Sequence, residues 1–263
     1  MTDDFSGVYA HGVEEIASEL RREFIDEAKE RVEALDLLLE DVRHERTDIN
    51  DLIPAVQRTA LVLRVQGGNV GLRLIGTIAH RLEDYLANVH ELPPRAVDDL
   101  QVFIDVLEDV LEERVPFNAD ASQIVRKLPA KIGFSESDIE VRNVEVMLVM
   151  LHGAALHYVQ RELQQIGYRV STVSTVFEAF HQIIQTKPDL VIISAIMPEL
   201  DGLDLAIGLH AMPATRNIPL ALITSLDEGD EHLAALSKGV PIIHKGPSFG
   251  DDLFKALDNL FLI

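Results

Sequence analysis

The sequence has no cysteine. No disulfide framework, thiolate zinc site or cysteine nucleophile is therefore open to it. No apolar run approaches the ~20 residues that a membrane-crossing helix needs. The opening stretch MTDDFSGVYAHG lacks the basic segment followed by an apolar core that marks a secretory signal. Positive charge is scarce: 23 Lys and Arg stand against 44 Asp and Glu, giving a net charge of -21. A surface of that sign repels a phosphate backbone, which argues against generic nucleic-acid binding. The reading is a soluble, acidic, cytoplasmic chain. Its 263 residues and 47% hydrophobic content fit two packed domains rather than a disordered or fibrous class.

The first half carries helical periodicity and no strand pattern. From Val13 to about Glu45, Ile16, Leu20, Phe24, Ala28, Val32, Leu35 and Leu39 recur at threes and fours. A second helix is expected from about Leu52 to Gln66, with Asp48 or Asn50 as its cap. Gly67, Gly68 and Gly71 then interrupt or closely follow it. Further helices are expected over about Leu72–Val89, Arg95–Glu113 and Ala121–Leu128. This is the pattern of a helical bundle with a four-helix core. The expected organisation is a flexible N-terminus (1–12), a bundle (13–130), a polar linker (131–143) and a second domain (144–263).

The periodicity changes after the linker. Continuous apolar runs at Val144–Leu151, Tyr168–Val173, Leu190–Ile193, Ile218–Thr224 and Val240–His244 alternate with helical patterns. The last two helices are expected at Glu228–Ser237 and Asp251–Leu262. Strands that alternate with helices in this way predict a doubly wound, five-stranded parallel sheet. Chemistry in such a sheet sits at the carboxyl ends of the strands. That places Met150, Leu151, Ser194, Thr224 and Lys245 around one crevice.

The stretch PDLVIISAIMPELDG, Pro188 to Gly202, resembles the phosphoacceptor loop of a response-regulator receiver domain. The resemblance covers about Glu145 to Ile263 and includes Thr224 and Lys245 at the ends of the fourth and fifth strands. It implies that the aspartate taking the phosphoryl group belongs at Ser194, and that two metal-holding acids belong at Met150 and Leu151. Mg²⁺ takes hard oxygen ligands, usually carboxylates, and these three residues supply a single neutral hydroxyl. Phosphoryl transfer would lack both its nucleophile and its charge neutralisation. The expectation is a pseudo-receiver that retains Thr224 and Lys245. No G-x-S-x-G elbow surrounds Ser194, so a hydrolase is not expected.

The stretch RTALVLRVQGGNVGLRLIGTIAHRLEDYL, Arg58 to Leu86, resembles a histidine phosphotransfer (Hpt) domain. Aligning Gly68, Val70 and Gly71 puts Leu61 where that family's phosphorylated histidine belongs. Arg64 stands for its lysine. His80 lies on the following helix, where the resemblance implies a packing role. From Leu52 to Leu82 there is no Asp or Glu, although the chain is strongly acidic. Arg58, Leu61, Arg64, Gly68, Gly71, Arg73 and Arg81 are the candidate docking face, an apolar centre with an arginine rim. Buried helices with snorkelling arginines would leave the same trace in the sequence.

The two resemblances imply a non-catalytic adaptor or scaffold of a two-component pathway. It would bind a histidine kinase, a response regulator or an Hpt protein without accepting phosphoryl groups. No enzyme activity, cofactor, metal site or membrane partner is expected, and a homodimer is a further possibility. Two other functions stay open: a live phosphotransfer component using His80, and a small-ligand sensor or enzyme at the apolar crevice. A buried His80 ring would exclude the first of these. A large pocket at the crevice would support the second.

Overall fold

The computed structural model describes residues 4–87, 89, 91–93, 95–130, 143–226, 230–236 and 239–260, with side chains from residue 13 onward. The chain separates into two compact units, Met1–Pro129 and Ala130–Ile263. Residues 131–142 of the expected linker and the apolar tail Phe261–Ile263 lie outside the described residues.

The first unit is helical. Helix α1 (Asp4–Arg43) buries Phe24, Ala28, Val32, Leu35 and Leu39, one stripe at spacings of three and four. It begins at Asp4, so most of the segment expected to be flexible is helix instead. Asp48 caps a 3₁₀ turn, Ile49–Asp51, by accepting from the Asn50 amide. The Asn50 side chain instead accepts from the Leu92 amide, tying down the distant connection before the fourth helix.

Helix α2 (Leu52–Asn69) runs on through Gly67 and Gly68, beyond the end expected at Gln66. Close packing explains why. A Cβ at Gly67 would meet the Leu72 carbonyl at 3.3 Å, and one at Gly76 would meet the Arg64 carbonyl at 3.4 Å. Two glycines thus bring α2 and α3 (Arg73–Leu86) together, which offsets their poor helix propensity. Gly71, with φ of +78°, makes the turn between them.

Helix α3 is almost wholly buried, and α4 (Ala96–Leu111) covers it with Val97, Leu100, Phe103, Ile104 and Leu107. The short α5 (Ala121–Val125) is capped by Asp120, which accepts from the Ser122 amide. It is five residues long and stops at Val125, before the expected Leu128.

The second unit is a five-stranded parallel sheet of order β2-β1-β3-β4-β5. Its strands are β1 (Glu145–Val149), β2 (Arg169–Val173), β3 (Leu190–Ser194), β4 (Leu220–Thr224) and β5 (Ile242–His244). Alternate residues feed two cores, one on each face. Val146, Leu148 and Ile192 pack on one side, and Met147, Val149, Val191 and Ile193 on the other. This two-sided burial is why the strands read as continuous apolar runs. Helices α6 (Ala154–Gln165), α7 (Val176–Thr186), α8 (Gly202–Ala211) and α9 (Phe249–Asn259) cover the sheet.

Both β4 and β5 open just after a proline, later than expected, because Pro219 and Pro241 have no N–H for the ladder. Their carbonyls still accept, from Val191 and Leu222. In the segment expected to be helical over 228–237, the described residues Glu231–Ala235 form a 3₁₀ turn. Leu233 is its one buried side chain, too little apolar face to hold a longer helix.

Candidate functional site

The parallel register brings the carboxyl ends of four strands side by side. Val149 of β1 stands against Ile193 of β3, Ser194 against Ile223 of β4, and Thr224 against His244 of β5. Lys245 follows at once, its amide donating to the Thr224 carbonyl over 2.8 Å. All five residues expected at the crevice therefore lie at one end of the sheet.

Their side chains do not converge on a common ligand. Met150 is buried in the core with Leu148 and Leu156. Leu151 is exposed. The buried Ser194 hydroxyl donates to the Ile196 carbonyl at 3.2 Å, and the Thr224 hydroxyl accepts from the Leu226 amide at 3.0 Å. Each is turned into its own loop. The Lys245 side chain is exposed.

Mg²⁺ does not fit this donor set. A thioether, an isobutyl group and a hydroxyl already engaged with a carbonyl offer no carboxylate. Among the described residues no group of three or more His, Asp or Glu is placed to hold a metal ion. Cavities of about 260 Å³ and 770 Å³ border other parts of the chain, and neither includes Met150, Leu151 or Ser194.

The loop from Ser194 to Gly202 is tightly built. The Ala195 amide donates to Ile223, and the Gly202 amide donates back to the Ala195 carbonyl at 2.9 Å. The Leu200 amide reaches the Pro198 carbonyl, with Glu199 between them at a φ of +68°. A non-glycine residue in that region stores strain, and the surrounding bonds hold it there. Ile196 projects from the loop into solvent, an exposure no sequence pattern marked.

In the helical unit, α2 presents Arg58, Leu61, Val65 and Gly68 along one exposed stripe at spacings of three, four and three. Leu61 and Val65 are 49% and 48% exposed. Nothing lies within 4 Å of a Cβ built at Gly68. Val65 was not among the candidates, although its spacing from Leu61 was the available signal.

The arginine rim is smaller than expected. Arg64 is half-buried and pairs with Glu83 of α3 at 2.6 Å, the first acid after the acid-free span. Arg81 is half-buried as well, while Gly71 and Arg73 are exposed at the turn. His80 is buried, with its ring nitrogens 3.8 Å from a Glu83 oxygen and 3.5 Å from an Asp84 oxygen. That burial removes His80 as an accessible phosphoacceptor.

Residues 146–257 match the family model for the response regulator receiver domain, and this part of the chain is a receiver domain. A similar curated protein is the transcriptional regulatory protein PrrA of Mycobacterium leprae, 28% identical over 102 residues. These are 39% of this chain and 43% of PrrA. The response regulator PleD of Caulobacter vibrioides is 30% identical over 95 residues, 36% of this chain and 19% of PleD. The chain thus spans less than half the length of either relative. Among solved structures, the receiver domain of a signal transduction histidine kinase from Syntrophus aciditrophicus is similar at 27% identity and a TM-score of 0.41. That match covers 45% of this chain and 90% of the other. Vibrio cholerae CheY4 is similar at 21% identity and a TM-score of 0.40, covering 44% and 98%. A receiver domain places the chain in two-component signalling. No helix among the described residues is long and apolar enough to cross a membrane.

Proposed function

We propose that the chain is a non-catalytic adaptor of a two-component pathway, binding signalling partners without accepting a phosphoryl group. The observation that carries this reading is the chemistry at the carboxyl end of the sheet. Where the receiver resemblance calls for three acids, the chain has Met150 in the core, Leu151 in solvent and Ser194 bonded to its own loop. These three positions offer no carboxylate as nucleophile or metal ligand. Thr224 and Lys245 are kept, but the threonine hydroxyl is engaged with Leu226.

The helical unit supports the same reading in its own way. The Hpt resemblance puts Leu61 at the histidine position, and Leu61 is the exposed centre of the α2 stripe. A leucine cannot carry phosphate. With Val65 beside it and the bare backbone of Gly68 one turn on, it forms a small apolar patch that a partner can approach closely. Arg58 and Arg73 supply a basic margin. A response-regulator receiver or a histidine kinase is the partner class this surface fits.

The decisive experiment incubates the purified chain with a histidine kinase carrying labelled phosphate, in Mg²⁺. No label should transfer. Acid- or base-labile label on the chain would overturn the reading. The docking face is tested separately, by binding to purified kinases and receivers of the same cell. Leu61→Glu and Val65→Glu should each weaken binding by roughly tenfold or more, as expected of central apolar contacts. Unchanged binding would remove α2 as the face.

A further inference from the structure

The apolar stripe of α1 does not stop where the bundle stops. Phe24 is its last buried member, lying against Gly67, and the Arg21 guanidinium caps the bundle end by donating to the Val70 carbonyl at 3.2 Å. Beyond it, every residue from Val13 to Glu23 is exposed. Yet Val13, Ile16 and Leu20 continue the stripe of Phe24, Ala28 and Val32 at the same spacing. They are 66%, 60% and 52% exposed. From Asp4 to Leu20 the helix runs on for roughly 25 Å at ~1.5 Å per residue. A lone helix with an uncovered stripe is marginal in water, because packing of the apolar face is what stabilises it.

We propose that this segment of α1 pairs antiparallel with the same segment of a second copy, making the chain a homodimer. This goes beyond the adaptor reading and does not depend on it. The charges on one flank of the stripe select the occupant; the other flank carries Glu19 and Glu23. Glu14 and Arg21 are seven residues apart, two helical turns, and so share one flank of the stripe. Ala17 lies between them on that flank and is small enough to let a second helix come near. Neither charge has an ion-pair partner among the described residues; the Arg21 bond is to a neutral carbonyl. A two-fold axis crossing α1 near Ala17 and Ser18 sets Ile16 of one copy against Leu20 of the other. The same axis sets each Glu14 against the other copy's Arg21, twice over. A uniformly acidic or basic partner would complement one of these charges and repel the other.

Sedimentation of the full chain tests the proposal. The wild type should be a dimer. Ile16→Glu combined with Leu20→Glu should give a monomer, with receiver melting unchanged because both positions lie in the other unit. Glu14→Arg alone and Arg21→Glu alone should each weaken association several-fold. An equal mixture of those two charge variants should associate more tightly than either by itself. A monomeric wild type overturns the proposal, as does a dimer unmoved by the Ile16 and Leu20 substitutions. A mixture no tighter than its components overturns the antiparallel register.

Discussion

The backbone of Gly202 lies directly against the carbonyl oxygen of Ser194, so that a Cβ at residue 202 would overlap that oxygen and press on the Ile193 side chain. Both neighbours are fixed, the first as strand-end backbone and the second as core. The glycine is thus held by packing, whatever the loop now does in signalling. Gly202→Ala should cost roughly 2–3 kcal/mol, the range of overpacking in a rigid site. Thermal unfolding of the receiver unit measures it, and an unchanged midpoint would contradict the geometry.

The contrast with Gly68 gives the opposite sign. Gly68 lies inside α2 with open space where a side chain would be. An alanine there lowers the entropy of the unfolded chain and meets nothing in the folded one. Gly68→Ala should stabilise the helical unit by up to about 1 kcal/mol. If α2 is a docking face, the added methyl should also weaken partner binding. A variant that is stabler yet binds as well as wild type would show that close backbone approach at Gly68 is not used.

How much of this was legible from sequence follows from what each feature depends on. The strand run Leu190–Ile193 was legible because a strand buried on both faces must be apolar throughout, and the bounds are set by local turns. Ser194, Thr224 and Lys245 could be placed at one end of the sheet for the same reason: parallel topology dictates it. The direction of the Ser194 and Thr224 hydroxyls could not be read, because each depends on loop backbone two residues away. Arg64 looked like a free basic residue until the crossing of α2 over α3 put Glu83 beside it. The helix through Gly67 was misread because its stability comes from Gly76 on another helix, and no local propensity reports that.

Glu108 on α4 makes a pH prediction with a definite sign. Burial raises its carboxyl above the ordinary range, and the nearby Asp36, Asp105 and Asp109 push it the same way, against Arg114. A carboxyl whose folded pKa is raised holds its proton more tightly in the native state than in the unfolded one. Its contribution is full below the unfolded pKa and is lost as pH rises through the folded value. Glu108→Gln should therefore be stabler than wild type at neutral pH. The advantage should shrink as pH falls into the ordinary carboxylate range, seen as converging melting temperatures. A difference that does not vary with pH would rule out ionisation of Glu108 as its source.

At the opposite end of the sheet from the crevice, Glu145 and Arg169 form a buried pair with Nε 2.5 Å from Oε1, the carboxylate being 1% exposed. The two residues also stand opposite each other in the β1–β2 register. Coulomb attraction of a buried pair is large, but so is the loss of hydration, and the net contribution over an apolar pair is small. Removing one partner is different, because the buried charge that remains loses its 2.5 Å counter-charge. Arg169→Met should cost about 3 kcal/mol or more by taking the guanidinium away from the buried Glu145 carboxylate. Glu145→Leu combined with Arg169→Met should recover most of that loss, since the carboxylate that the guanidinium faced is then gone as well. Chemical denaturation of the single and double variants reads the cycle. Equal destabilisation in the two variants would mean that Arg169 acts through its other contacts and through its aliphatic packing, not through the charge of Glu145.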